Sequence, residues 1–435
     1  MFQIKSSIKK FNDPQTICVI TSYPDKKHGV RELNAVAWHA QKTLTELSKK
    51  QQVLVLAEHF GKHIQYKDSA NIMVWRLWKR GNPLSLLSIF QAAFTFPNIK
   101  HYLIQFEFNS FGGLFSVLAL PFILLILKCM GKKVHFEIHQ VVLDIRKLAE
   151  HINIKNPIAQ HVFNVALHGF YLFISTLADT LIVLEEELKN RLQTMTRPEK
   201  IHIVPISVDK KRNLPQQNAK HKLGYNSEDF VVLIFGFVNW YKGSDWIAKV
   251  ASQYPDRRVK FILAGGDNPT LKDRPHYHMF YEAVMKCAAR SPQLQMTGFV
   301  PDEDVSTYFS AADAVILPYR VYMSASGPFS LALSYGKPVL LSSALTDYNK
   351  SHDFADVMRY TDVSSEELFF PLHKSALYSR IKKLQDYHDY KVKLTQFSKE
   401  LAKRRSSDRI IDRLLHALEN PSSLALPRLS PAISS

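Results

Sequence analysis

Two short segments in the second half of the chain carry residue types suited to holding a diphosphate. The first is an apolar run, 231–238, that breaks into Asn239-Trp240-Tyr241-Lys242-Gly243. The second contains Leu317-Pro318-Tyr319-Arg320, then Ser326-Gly327-Pro328, then Tyr335-Gly336-Lys337-Pro338-Val339. Each sets small or cationic residues where a buried strand ends and a helix begins. In an open α/β sheet that edge binds anions, because helix N-termini present unpaired N–H groups there. Lys242 is expected to aim its ammonium at the crevice, beside a helix capped by Ser244. An ammonium so placed suits a diphosphate leaving group, whose growing charge must be neutralised. At Ser326-Gly327-Pro328 the serine caps a helix, the glycine permits close backbone approach, and the proline lacks an N–H that would be unpaired anyway. The N–H groups of Phe329 and Ser330 are then expected to face phosphate oxygens. Taken singly, Lys242 is an ordinary turn lysine and Ser326 an ordinary cap; the pairing of the two segments carries the functional reading.

Other residues fall on the same kind of edge. Gly265-Gly266-Asp267 ends one strand and Gly298-Phe299-Val300 another, where loop backbone can hold a flat base. In the first half, Gly29 lies in a loop after the first strand, and His139 ends a strand at 134–138. A histidine there can hydrogen-bond a sugar hydroxyl or a developing charge; an ordinary loop histidine fits the position as well. Glu107 ends a further strand and ranks below His139. Asp302-Glu303-Asp304 has the letters of a D-x-D metal motif, but it follows Pro301 and opens a helix, where acidic residues favour the helix dipole.

The elements that must position these residues follow from periodicity. Apolar runs predict strands at 17–20, 53–56, 72–75, 102–105, 134–138, 180–183 and 201–205, with helical patterns between several, the longest at 33–48. Residues 208–228 are polar and rich in Lys, Asn and Gln, and read as a linker. A second series follows, with strands near 231–237, 259–264, 294–297, 314–317 and 338–341, and helices starting at Ser244, about His276, Asp302 and Ser326. Strands alternating with helices predict parallel, doubly wound sheets. The expected organisation is an N-terminal Rossmann-like domain at 1–207, a linker at 208–228, a C-terminal domain at 229–400, a helix at 401–419 and a disordered tail at 420–435.

Bulk properties narrow the class. The 435 residues allow two or three domains, and 46% hydrophobic content is ordinary for a globular protein. Cys18, Cys129 and Cys287 are scattered, without metal spacing, and read as core thiols in a reducing compartment. Residues 1–16 are polar and show no signal-peptide core, so a cytoplasmic setting is expected. The formal charge of +17 points to an anionic partner: a membrane surface, nucleic acid or a phosphorylated ligand. No zinc-finger spacing or aromatic RNA-binding motif accompanies it, which disfavours nucleic acid. Residues 111–127 are uncharged, at the lower limit for a membrane span. They lie between two strand patterns, so a crossover helix, buried or grazing a membrane, accounts for them best.

These residues resemble a known family. Gly236 to Gly243 is similar to the G-R-L-x-x-x-K-G segment of the family-4 retaining glycosyltransferases of the GT-B fold. Gly298-Phe-Val-Pro-Asp-Glu-Asp-Val and the run from Tyr308 to Tyr319 match that family closely, and Tyr335-Gly-Lys-Pro-Val-Leu340 resembles its A-x-G-x-P-V-I signature. Lys132-Lys-Val-His-Phe-Glu-Ile-His139 is similar to its K-x-V-x-T-x-H strand. The resemblance implies two facing Rossmann-like domains with a cleft between them. It implies sugar transfer, with retention, from a nucleotide sugar held by the C-terminal domain, without a metal or other cofactor. The catalytic pair would be His139 and Lys242. Donor contacts would come from Gly29, Gly236, Asn239, Lys242, Gly265, Gly298, Phe299, Val300, Ser326, Gly327 and Pro328. The chain departs from the family where Phe237 replaces an arginine and where Met323 and Leu331 replace two glutamates; a branch of the family uses a Ser-Gly element there, which Ser326-Gly327 matches.

The expected function is transfer of a sugar to a glycan or lipid-linked acceptor in cell-envelope or surface-glycan synthesis, at the cytoplasmic face of an anionic membrane. The missing glutamates support a different reading, a non-catalytic carbohydrate- or nucleotide-binding protein on the same scaffold.

Overall fold

The computed structural model describes residues 8–24, 35–61 and 64–420. Gly29 and most of the expected C-terminal tail lie outside the described residues.

The first sheet is built from β1 (Ile17–Ile20), β2 (Val53–Glu58), β3 (Ile64–Lys67), β4 (Ile72–Trp78), β5 (His101–Phe106), β6 (Lys133–Ile138), β7 (Thr180–Val183) and β8 (Ile201–Ile203). Its order is β3-β4-β2-β1-β5-β6-β7-β8, parallel except for β3. The second sheet contains β9 (Phe230–Phe235), β10 (Val259–Ala264), β11 (Leu294–Met296), β12 (Ala314–Leu317), β13 (Val339–Ser342) and β14 (Phe369–Phe370). Its order is β11-β10-β9-β12-β13-β14, with all of these pairings parallel. In each sheet the first strand of the series lies inside and the order reverses beside it, which opens a crevice at the carboxyl edge. The central strands read as continuous apolar runs because helices cover both faces.

Two strands escape the apolar-run criterion. β3 is half-exposed and polar, and pairs antiparallel at the sheet edge; β14 has only two residues. Among the helices that matter below, α1 spans Ala35–Leu47, α2 Leu114–Cys129, α3 Pro157–Leu177, α4 Ser244–Ser252, α5 Gly327–Ser334, α6 His388–Arg404 and α7 Ser407–Glu419. The uncharged stretch is thus a crossover helix, α2, between β5 and β6. Among the described residues no helix is long and apolar enough to cross a membrane. Of the cysteines only Cys18 is a core thiol; Cys129 is exposed and Cys287 half-buried.

The expected linker is largely part of the C-terminal domain. It contains the helix Gln216–Lys222, and Gln216 donates to the Ala311 and Ala312 carbonyls at 3.2 Å. Lys220 is buried and pairs with Asp313 at 2.9 Å. The polar composition that suggested a linker therefore serves buried hydrogen bonds.

The C-terminal helix also differs from expectation. The chain breaks at Arg405, and α7 returns to the first domain. Ile410, Ile411, Leu414 and Leu418 join the core that holds Val19, Val55 and Leu103. Thr180 donates to the Ala417 carbonyl at 3.3 Å. At the break, the Arg405 guanidinium is 2% exposed and bonds Glu185 after β7 at 3.1 Å and Asp353 of the second domain at 2.8 Å. Replacing Arg405 with Met leaves two buried carboxylates unpaired. Arg405→Met is expected to lower unfolding free energy by about 3–5 kcal/mol, read from urea denaturation of the full chain.

Candidate active site

The carboxyl edges of the two sheets face one another across a cavity of about 490 Å³. That volume lies in the range of sites for small organic ligands. The domains meet around it. Gln140 after β6 bridges to Ser324 after β12. Arg191 donates to the carbonyls of Val141 at 2.9 Å and Tyr322 at 3.1 Å, tying one domain to the other.

The donor-side wall is made where the two sequence segments converge. β9 ends at Phe235 and is followed by Gly236, whose φ of 104° suits glycine. A methyl group there would stand 2.9 Å from the Lys242 Nζ and 3.1 Å from the Pro328 ring, so strand end, lysine and helix start meet at one point. Gly243 turns the chain at a φ of 71°, and a side chain there would strike the Pro318 carbonyl at 2.1 Å. Gly243, not Ser244, occupies the cap position of α4; the Ser244 hydroxyl instead accepts the Asn239 N–H at 3.1 Å. Arg320 is not open to a ligand. It holds the loop, donating to the Trp240 carbonyl at 2.6 Å and pairing with Asp245 at 2.7 Å.

Lys242 differs from these neighbours. It lines the cavity, and among the described residues no carboxylate pairs with it. Burial brings its pKa down from the ordinary lysine value to about 8. His151, from the opposite domain, stands edge-on to Tyr241 at 5.1 Å. Burial brings that imidazole down to about 4, so it stays neutral and adds no charge beside Lys242.

The Ser326 helix start is more tightly engaged than expected. The Ser326 hydroxyl accepts the Phe329 N–H at 3.3 Å and shares a 2.9 Å bond with the Tyr319 hydroxyl. Ser330 N–H donates to the Ser326 carbonyl at 3.0 Å. The Phe329 and Ser330 N–H groups are therefore occupied. Gly327, as the first helical residue, has no intrahelical acceptor, and its N–H is the one placed for an anion.

Most of the expected site residues meet in this cavity: His139, Lys242, Gly236, Gly265, Phe299, Val300, Ser326, Gly327 and Pro328. Two do not line it. Asn239 is buried and accepts from Asn268 at 3.1 Å, a bond that shapes the loop. Gly298, with a φ of 73°, turns the chain behind Phe299. Gly265 is glycine for a packing reason, since a side chain there would lie 2.1 Å from the Gly236 carbonyl. The departures from the family pattern also face the cavity: Phe237, Met323 and Leu331 form an apolar wall.

On the opposite wall, Glu137 near the end of β6 organises two histidines. Its Oε1 lies 2.9 Å from His139 Nε2 and 3.1 Å from His39 Nε2, and its Oε2 accepts from Gln105 at 3.0 Å. Burial alone would raise this carboxyl. The two imidazole hydrogen bonds outweigh it and hold Glu137 well below the carboxylate range. The ligand atoms of His39, Glu137 and His139 lie within 4.8 Å of one another, close enough for a metal, but they already satisfy one another by hydrogen bonding. His39, on α1, was not found from sequence. The available signal was Glu137, a carboxylate in an otherwise apolar strand, which required buried partners. Glu107 also lines the cavity, where burial raises its carboxyl and Gln140 donates to it at 3.1 Å.

Comparison with known proteins agrees with this architecture. Residues 229–353 match the family described as Glycosyl transferases group 1. Mannosylfructose-phosphate synthase of Agrobacterium fabrum is 24% identical over 200 residues, covering 42% of this chain and 42% of that protein. The match thus spans less than half the length of that curated relative. Sucrose-phosphate synthase of Thermosynechococcus elongatus superposes with a TM-score of 0.69 at 15% identity, over 93% of this chain and 98% of that one. Anabaena HepE in complex with UDP-glucose gives 0.63 at 14% identity, over 93% and 99%. WaaG, described as a glycosyltransferase involved in lipopolysaccharide biosynthesis, gives 0.62 at 12%, over 93% and 99%. The fold is GT-B, and the resemblance read from the sequence holds in the C-terminal domain.

Lys242 can hold an anion only as an ammonium. Affinity for a nucleoside diphosphate is therefore expected to fall as pH rises through about 8 in the free protein, approaching about tenfold per pH unit above that value. Calorimetric titration with UDP across that range checks this, and Lys242→Met should bind weakly with a flat profile.

Proposed function

We propose that the protein is a retaining glycosyltransferase that moves a hexosyl group from a nucleotide sugar to an acceptor held against the N-terminal domain. The observation that carries this reading is Lys242: a buried ammonium without a carboxylate partner, among the described residues, at the meeting point of Gly236 and the α5 start. A buried unpaired charge is costly, and an incoming diphosphate would offset that cost. The UDP-glucose complex of a protein of the same fold supports a nucleotide-sugar donor. The lipopolysaccharide role described for WaaG supports an acceptor in envelope or surface-glycan synthesis.

In the proposed reaction the bond between the anomeric carbon and the terminal phosphate oxygen breaks. Lys242 and the Gly327 N–H neutralise the charge that develops on the departing diphosphate. The acceptor oxygen bonds the anomeric carbon on the same face and passes its proton to the departing phosphate oxygen, which yields retention. No metal is required, because the ammonium and helix terminus supply the positive charge. Glu137 engages the His139 Nε2, which leaves Nδ1 for a hydroxyl of the transferred sugar.

The apolar wall of Phe237, Met323 and Leu331 favours a second reading, in which the cavity binds a nucleotide sugar or carbohydrate without turnover. Release of nucleoside diphosphate from a panel of nucleotide sugars, with and without glycan acceptors, separates the two. The transferase reading expects release from at least one donor, and a loss of about 10²–10³-fold in kcat for Lys242→Met, with the fold retained by circular dichroism. Donor binding without release under any acceptor would establish the second reading, and no binding of any donor would overturn both.

A further inference from the structure

The α2 helix is apolar on both sides. Val117, Leu120, Leu124 and Leu127 are buried, as a helix covering a sheet requires. Its outer side is apolar too: Phe115 is 76% exposed, Phe122 65%, Leu114 52%, and Leu118 and Leu125 44% each. A helix that only covers a sheet carries polar residues there. The neighbouring α3 repeats the pattern, with Ile158, Val162, Val165, Leu172 and Phe173 exposed. The two helices pack side by side, so these side chains form one surface rather than scattered singles.

The charges around this surface select its partner. Neither helix contains Asp or Glu. Arg80 packs against Gly112 at the start of α2, and exposed Lys133 lies just beyond its end. Exposed Lys147 and Lys155 lead into α3. Aromatic and aliphatic side chains on helices without a carboxylate, flanked by more cations than anions (Arg80, Lys133, Lys147 and Lys155 against exposed Glu150 and half-buried Asp179), match a bilayer whose hydrocarbon takes the apolar groups and whose phosphates take the basic ones. Pairing two copies would bring together chains of charge +17, a repulsion that an anionic surface converts to attraction.

We infer that the α2–α3 face docks on an anionic lipid bilayer, with Phe115, Phe122 and Phe173 entering the interfacial layer. The segment from His139 to Pro157 joins the cavity to this face, so an acceptor carried in the lipid would approach the site along one continuous piece of the N-terminal domain. The surface alone carries the inference, independently of any sugar-transfer activity.

Sedimentation of the full chain with vesicles tests it. Binding is expected to vesicles of phosphatidylcholine with about 30 mol% phosphatidylglycerol, with weakening by salt and little binding to phosphatidylcholine alone. The Phe115→Gln/Phe122→Gln/Phe173→Gln variant is expected to bind at least about tenfold more weakly, with an unchanged unfolding midpoint because these side chains are exposed. No binding of the parent chain to anionic vesicles, or equal binding of parent and variant, overturns the inference. A parent dimer that the triple variant dissociates assigns the face to a second copy and also overturns it. Nucleoside-diphosphate release in vesicle-free buffer is a separate readout, so failure of one proposal leaves the other standing.

Discussion

The cleft depends on a guanidinium that scarcely meets water. Arg405 sits where the chain leaves α6 and re-enters the first domain, and its two carboxylate partners come from different domains. Burying a charge is costly unless its hydrogen bonds are met. Glu185 and Asp353 meet them together only when the domains hold one relative placement, and Ser351 adds a 3.0 Å bond to Glu185. The two crossings of the chain are also tied to each other: Val208 N–H donates to the Arg405 carbonyl at 2.6 Å, and the Ser407 hydroxyl to Asp209 at 2.7 Å. The cluster sets how the two sheet edges confront one another, and hence the shape of the cavity between them.

Within that cavity the two walls have opposite chemistry. The C-terminal wall offers the Lys242 ammonium, backbone from glycine-rich turns and a helix start, with Lys211 also on the lining. The N-terminal wall offers two imidazoles, His39 and His139, held from behind by Glu137, together with the carboxyl of Glu107. Arg320, which could have competed with Lys242 for an anion, is neutralised by Asp245 and spent on loop geometry. Lys242, beside Gly236, and Lys211 are the lysines that line the cavity among the described residues. Phe237, Met323 and Leu331 line the same cavity and add no charge to it.

The outer surface of the N-terminal domain follows a different rule. α2 covers the sheet with one side and presents Phe and Leu on the other, where a helix serving only the core would be polar. Its sixteen residues are too few to span a bilayer, and Pro121 lies within them. The sequence alone favours a crossover helix here, buried or grazing a membrane, over a membrane span. The crossover between β5 and β6 decides that it lies along the domain surface, half in the core and half available to a partner.

Much of the fold was legible because it is written locally. Apolar runs marked the central strands of both sheets, and Gly, Pro and Ser at their ends marked the turns that carry Lys242, Phe299 and Ser326. β3 was not legible, because an exposed edge strand needs no apolar run, and residues 216–222 looked like a linker because buried hydrogen bonding and solvent exposure select the same polar residues. Sequence by itself determined most of the element order, the doubly wound parallel sheets and the loops at which chemistry is placed, since these follow from neighbours a few residues apart, while the GT-B architecture was implied by the family resemblance. Tertiary structure alone decided which polar groups are satisfied and which are open. It brought His39 to Glu137 across 98 positions, occupied Asn239, Arg320 and the Phe329 N–H, and left Lys242 without a carboxylate partner among the described residues. Burial and pairing are set by distant segments packed around a side chain, and no local pattern records them.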